Sequence, residues 1–194
     1  MRPFLFGFVV AFLLLGLVAF GAVKTGSVMA RQDVPPGKLE TWLARTSLEA
    51  TIDREKPMPP YPYGPPSETD FVAGANLYVQ NCAVCHGTGH GTPSAIARGL
   101  EVKAPQFAKH GVDDDPEGVI YWKVEHGIRM TAMPAYDMTL DEKQIWQLTY
   151  FLKHLPDLPP QAKAIFDDPA LGAPATPLPQ MTIFPEPQAR GTTT

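Results

Sequence analysis

The sequence predicts an all-α protein: one small helical bundle, preceded by an apolar N-terminal helix and flanked by proline-rich segments. Two observations carry this. No stretch shows the period-two alternation of a half-buried strand, whereas helix-opening residues recur ahead of apolar residues spaced three and four apart. The 22 prolines are also unevenly placed: eight fall in 34–66, nine in 156–194 and only four in 67–155. Proline removes a helix donor and clashes with the preceding turn, so the packed helices belong in the centre. The expected organisation is an apolar segment at 1–30, a helix and proline-rich tether at 31–66, a compact domain at 67–158 and a proline-rich tail at 159–194.

The elements follow in order. Phe4 to Val23 is 20 residues without a charge, about 30 Å of helix and so the thickness of a bilayer core. Arg2 before it favours a cytoplasmic start, which places the rest of the chain on the exported side. A cleaved signal peptide is the alternative, with Val28-Met29-Ala30 as a peptidase site, but signal h-regions are shorter than this run. Past Val34-Pro35-Pro36-Gly37, Lys38 to Ile52 has helical character, with Leu39, Trp42, Leu43 and Ala50 near one face. That helix can lie on a membrane surface, dock on a partner subunit or pack on the central domain. Pro57 to Pro66 reads as an extended tether.

In the central domain Ser67 or Thr69 can cap a helix from about Phe71 to Cys85. Gly74 and Tyr78 share one face of it, and the small residue there admits close approach of another helix. Asp115-Pro116-Glu117 has the order cap, first-turn proline, first-turn acid, and opens a helix to about Glu125 that Gly127 ends. Thr139-Leu140-Asp141-Glu142 fits a capping box for a last helix whose apolar face is Ile145, Trp146, Leu148, Thr149 and Leu152, and Pro156 stops it. From Gln161 onward a proline-rich tail with a short helical start is expected.

The chemistry is concentrated in Cys82-Ala83-Val84-Cys85-His86. C-x-x-C-H is the attachment pattern of c-type haem. Two thiols three positions apart on one helical turn can add to the two vinyl groups of one porphyrin, and the adjacent imidazole can ligate the iron from one side. Rival readings lack their context. A thioredoxin-like site wants a βαβ pattern, and a structural zinc wants two further ligands at finger spacing, of which His90 is one candidate with no fourth close by. These are the only two cysteines, so no thiol remains for a disulfide, and one such motif means one haem. Haem attachment and an export segment agree with each other. Between Ser67 and Leu155, seven Lys or Arg stand against eleven Asp or Glu, which argues against a nucleic-acid partner.

From Ser67 to Leu155 the chain resembles class I cytochrome c, a small helical bundle around one covalent haem. Three stretches carry the resemblance: Gly74-Ala75-Asn76-Leu77-Tyr78 followed by Cys82 to Gly87, Gly127 to Tyr136, and the aromatic last helix with Trp146 and Tyr150. In that family the first and last helices cross over one haem edge, which puts Gly74 and Tyr78 at the crossing. The resemblance implies haem c bound through Cys82 and Cys85, with His86 as one axial ligand. It implies a sixth ligand from a Met-Pro pair, here Met133-Pro134, with Met130 and Met138 as competitors that precede no proline. A thioether raises the reduction potential relative to harder ligands. Ala104-Pro105-Gln106-Phe107 resembles the family segment whose proline carbonyl accepts the imidazole N–H, although an ordinary loop proline is the alternative. Tyr121 and Trp122 correspond to residues that often line the haem pocket, and packing alone accounts for them equally.

The whole chain is similar to bacterial membrane-anchored, single-haem members. The expectation is therefore an electron carrier rather than an enzyme, single-pass in the bacterial inner membrane with its haem domain on the periplasmic side. Its expected partners are redox proteins, donor and acceptor, among membrane respiratory complexes. Two other functions stay open: a five-coordinate haem c sensor or peroxidase-like enzyme, and a fixed cytochrome subunit of a larger respiratory complex.

Overall fold

A computed structural model of the chain describes residues 2–26, 33–55 and 62–172. The candidate peptidase site at Val28–Ala30, the tether at 57–61 and the tail beyond 172 lie outside the described residues. Among the described residues there is no strand, and the order is α1 (Arg2–Lys24), α2 (Lys38–Glu55), α3 (Glu68–Asn81), α4 (Ala83–His86), α5 (Ala95–Gly99), α6 (Glu117–His126), α7 (Glu142–Lys153) and α8 (Pro160–Asp167). Within α1, Phe6–Lys24 has a mean hydropathy of 2.6, none of it buried, and is long and apolar enough to cross a membrane.

The bundle is organised by the crossing of α3 and α7. Gly74 is required there: a Cβ at that position would lie 2.3 Å from the Gln147 carbonyl oxygen and 2.8 Å from the Phe151 Cβ. Tyr78 packs on Phe151 with ring centroids 5.2 Å apart, and the Asp70 carboxylate accepts from the Gln147 amide at 2.9 Å. On the other side of α7, Tyr121 of α6 packs on Trp146 at 4.6 Å. Trp146, Tyr78 and Phe151 are fully buried, each removing on the order of 2–3 kcal/mol worth of apolar surface from water.

Three element boundaries differ from those the sequence suggests. Helix α3 is N-capped by Ser67, whose side chain and Asp70 form a reciprocal capping box, but it breaks at Cys82 instead of running to Cys85. The cause is tertiary. The Tyr136 hydroxyl donates to the Asn81 carbonyl at 3.0 Å, the acceptor that the Cys85 amide would use in a continuous helix. Cys85 N–H bonds Cys82 O instead, and the separate turn α4 results. The last helix opens at Asp141, boxed with Gln144, not at Thr139. The amides of Thr139 and Leu140 are already committed to Tyr136 O, and Leu140 is buried in the core. Pro116, not Asp115, stands at the N-cap position of α6, with no side-chain cap hydrogen bond, and the Asp115 carboxylate pairs with Lys123 at 2.6 Å instead.

The packed body continues past residue 158. In α8, Ala162, Ile165 and Phe166 join the core, with Phe166 edge-on to Tyr78 at 5.5 Å and to Phe151 at 5.7 Å. The Gly89 amide donates to the Phe166 carbonyl at 3.0 Å. Thus α8 covers α3 and holds the loop that follows the C-x-x-C-H segment.

Candidate functional site

An apolar cavity of about 420 Å³ opens between α4, α6 and the loop after α6. Cys82, Cys85, His86, Pro105 and Met133 all line it, so five of the seven site residues expected from the sequence converge on one cavity. The other two do not. Tyr121 is buried against Trp146, with its hydroxyl 3.4 Å from a Glu125 carboxylate oxygen. Trp122 donates its indole N–H to the Glu55 carboxylate at 2.6 Å. It is two residues from both Ile120 and Val124, which do line the cavity, and so lies about 200° around the helix from each.

The wall that carries His86 is built from several chain segments. His86 Nδ1 is 2.9 Å from the Pro105 carbonyl oxygen, an acceptor, so Nδ1 carries the proton and Nε2 is the nitrogen free to ligate a metal. Phe107 stacks on the imidazole, with centroids 4.3 Å apart and planes 8° from parallel. The Phe107 amide donates to His86 O at 3.2 Å, the Gln106 side chain donates to Cys85 O at 2.9 Å, and the Tyr78 hydroxyl donates to Gly87 O at 2.6 Å. Burial, partly opposed by the Pro105 hydrogen bond, holds the His86 pKa below its ordinary value. The imidazole is therefore neutral and its lone pair available at pH 7. Burial likewise pushes the Cys82 thiol up to about 12.

The opposite wall is the loop from Gly127 to Tyr136. Gly127 has φ +65 and ψ −171, backbone that a Cβ makes costly, and a Cβ there would also meet the Pro134 and Ala135 backbone at 2.6 Å. The loop then folds back on the end of α6: Ile128 N–H bonds Met133 O at 3.2 Å, and Tyr136 N–H reaches the carbonyls of Val124 and Glu125. Met133 N–H donates to the Thr131 hydroxyl at 3.1 Å. Met133 is half-buried in the cavity wall. Met130 has φ +62, does not line the cavity and is 82% exposed. Met138 is also exposed and away from the cavity.

Residues 69–152 match the family described as cytochrome C oxidase, cbb3-type, subunit III. Among curated proteins, cytochrome c6 of Limnospira maxima is 33% identical over 78 residues, covering 39% of this chain and 82% of that protein. The chain belongs to the class I c-type cytochromes. No solved structure matches. A covalently bound haem c goes with membership of this family, and the site of this cytochrome fits one. Both thiols and the imidazole face the same apolar cavity, and the imidazole is already oriented and deprotonated for a metal. Gln106, Phe107, Thr131 and Tyr136 lie inside the stretches that carry the resemblance but have no role of their own that the sequence indicates. All four sit within three residues of Pro105 or Met133, which is the signal that points to them.

Proposed function

We propose that this chain is a membrane-anchored, single-haem electron carrier in which one haem c is attached through Cys82 and Cys85 and its iron is held between His86 and Met133. The observation that carries this is the placement of His86 and Met133 on walls of one apolar cavity, with the imidazole Nδ1 engaged by Pro105 O. When bound, the haem supplies a reversible one-electron couple. The chain's own residues set its surroundings. The Pro105 carbonyl fixes the His86 tautomer and makes the imidazole a stronger donor. The Met133 thioether would hold the iron from the opposite wall and would raise its potential. Ile120, Val124 and Leu152 line the cavity with hydrocarbon and keep its dielectric low. With His86 and Met133 both holding the iron, no open coordination site would remain for a small substrate.

On this reading α1 is retained as a single-pass anchor in the bacterial inner membrane, with the haem domain on the periplasmic side, and the donor and acceptor are redox proteins, among them membrane respiratory complexes. The anchor raises the effective concentration of the domain near such complexes. The description of the matched family favours a second reading, a fixed cytochrome subunit of an oxidase. Carbon monoxide decides between carrier and five-coordinate sensor or peroxidase. The ferrous full-length protein is expected to bind it slowly and far below one equivalent. Rapid stoichiometric binding overturns the carrier reading. Co-purification from native membranes at a fixed ratio with an oxidase supports the subunit reading over a free carrier.

A further inference from the structure

The helix α2 has two apolar faces. Thr41, Leu48, Thr51 and Ile52 are half-buried or buried, and on the same side Glu55 accepts the Trp122 indole N–H. That hydrogen bond ties this side of α2 to α6. Leu39, Trp42 and Leu43 point elsewhere, about 150° around the axis from Leu48 and Ile52 at 100° per residue. They are 68%, 59% and 53% exposed. Three adjacent large apolar side chains left in water on a short helix need an occupant.

Chain continuity and chemistry point to which one. Only 13 residues separate the end of α1 at Lys24 from the start of α2 at Lys38, a reach of at most about 45 Å. Trp42 is the residue type enriched at the water–lipid boundary. It has Lys38 four positions before it and Arg45 three after, so both cations share its side of the helix. The one carboxylate among the first eight residues, Glu40, is turned back to accept from the Gly37 amide at 3.2 Å. Over these first two turns, next to the anchor, an aromatic and aliphatic face edged by two cations fits the lipid–water boundary, and Glu49, seven positions after Trp42 on the same face, marks where that face turns polar.

We propose that Leu39, Trp42 and Leu43 seat α2 in the interfacial layer of the bilayer that α1 enters, so that the haem domain is held to the membrane through the Trp122 side of α6, with the haem cavity on the other side of that helix. This rests on the reading of α1 as a retained anchor. The geometry leaves the cavity rim clear of both α2 and lipid, available to a redox partner approaching from the aqueous side.

The test uses the full-length, haem-loaded protein reconstituted in vesicles of phosphatidylcholine and phosphatidylglycerol, with the photo-cross-linker benzoylphenylalanine placed singly at Trp42, at Ala44 or at Leu14. Ala44 is exposed and lies about 160° around α2 from Trp42, on the side of Leu48, and Leu14 lies in the middle of α1. Each protein is first checked for an unchanged haem spectrum. The expected result is lipid adducts at Leu14 and at Trp42, with Trp42 exceeding Ala44 by about tenfold or more. Lipid adducts at Leu14 with equal labelling at Trp42 and Ala44 overturn the surface docking and leave the anchor standing. Loss of the Leu14 adduct overturns both. A protein adduct in place of lipid at Trp42 in native membranes overturns the proposal in favour of a docking subunit.

Discussion

The two walls of the cavity are built differently. The His86 wall is cross-braced by residues distant in sequence: Pro105, Gln106 and Phe107 reach back across about twenty residues to Cys85 and His86, and Tyr78 secures Gly87. The Met133 wall is a single loop that bonds to itself and to the end of its own helix α6, with one distant tie, from the Tyr136 hydroxyl at its end to Asn81. A cross-braced wall resists displacement because several partners must part together, whereas a self-bonded loop opens for the loss of a few local contacts. The residue whose departure would turn the carrier reading into the sensor reading, Met133, therefore sits on the wall with fewer distant supports.

Breaking the His86 wall at its covalent centre gives the largest effect. Cys82→Ala with Cys85→Ala is expected to abolish haem-dependent peroxidase stain on denaturing gels after acidic acetone extraction, while Met133→Ala retains it. Extraction of all haem from the unmodified protein would remove the covalent assignment. Next comes the loop. Gly127→Ala forces a Cβ into the Pro134–Ala135 backbone in a region where only glycine is at ease. It is expected to cost about 2–3 kcal/mol in urea unfolding and to open the ferrous protein to carbon monoxide with the haem still attached. Unchanged carbon monoxide binding would show that the loop is better supported than its contacts suggest.

A smaller effect is expected from Gln106→Ala, which removes the donor to Cys85 O and costs about 1 kcal/mol without admitting carbon monoxide. The smallest lies away from both walls. Hydrogen bonds first from Gln147 and then from Ser67 hold the Asp70 carboxyl below its usual range. A depressed carboxyl stabilises the fold above the unfolded-state value near 3.9 and loses that contribution as pH falls through its folded value. Asp70→Asn should therefore cost about 0.5–1 kcal/mol at pH 7, and the difference from the unmodified protein should shrink below pH about 4. A gap that is constant from pH 7 to pH 3 contradicts the assigned cause.

What could be read from the sequence follows the same division. Cys82, Cys85 and His86 are legible because the chemistry fixes their spacing, and Gly74 is legible because two helices need a missing side chain to cross. The Ser67 cap is legible because its partner Asp70 is three residues away. The break at Cys82 is not, since it depends on Tyr136 reaching Asn81 from 55 residues away. Thr139 and Asp141 both offer caps to the last helix, and only the burial of Leu140 decides between them. Trp122 belongs to the contact with Glu55 of α2, a partner 67 residues distant that no local pattern announces. The apolar residues of α8 are too few for its short length to separate a packed helix from a tail. Met133 is distinguished from Met130 in sequence only by Pro134 and the family resemblance, whereas in the fold one lines the cavity and the other faces water.

That distinction carries the central claim, and a paired redox titration tests it most directly. Met133→Ala and Met130→Ala are compared with the unmodified protein for midpoint potential and for the weak near-infrared absorption of a ferric Met–haem. Met133→Ala is expected to lower the potential by on the order of 100 mV, a fraction of the ~0.8 V range that axial ligands span, and to abolish the near-infrared band, with Met130→Ala leaving both nearly unchanged. Loss of the band and the potential in Met130→Ala, with Met133→Ala unaffected, would contradict the account.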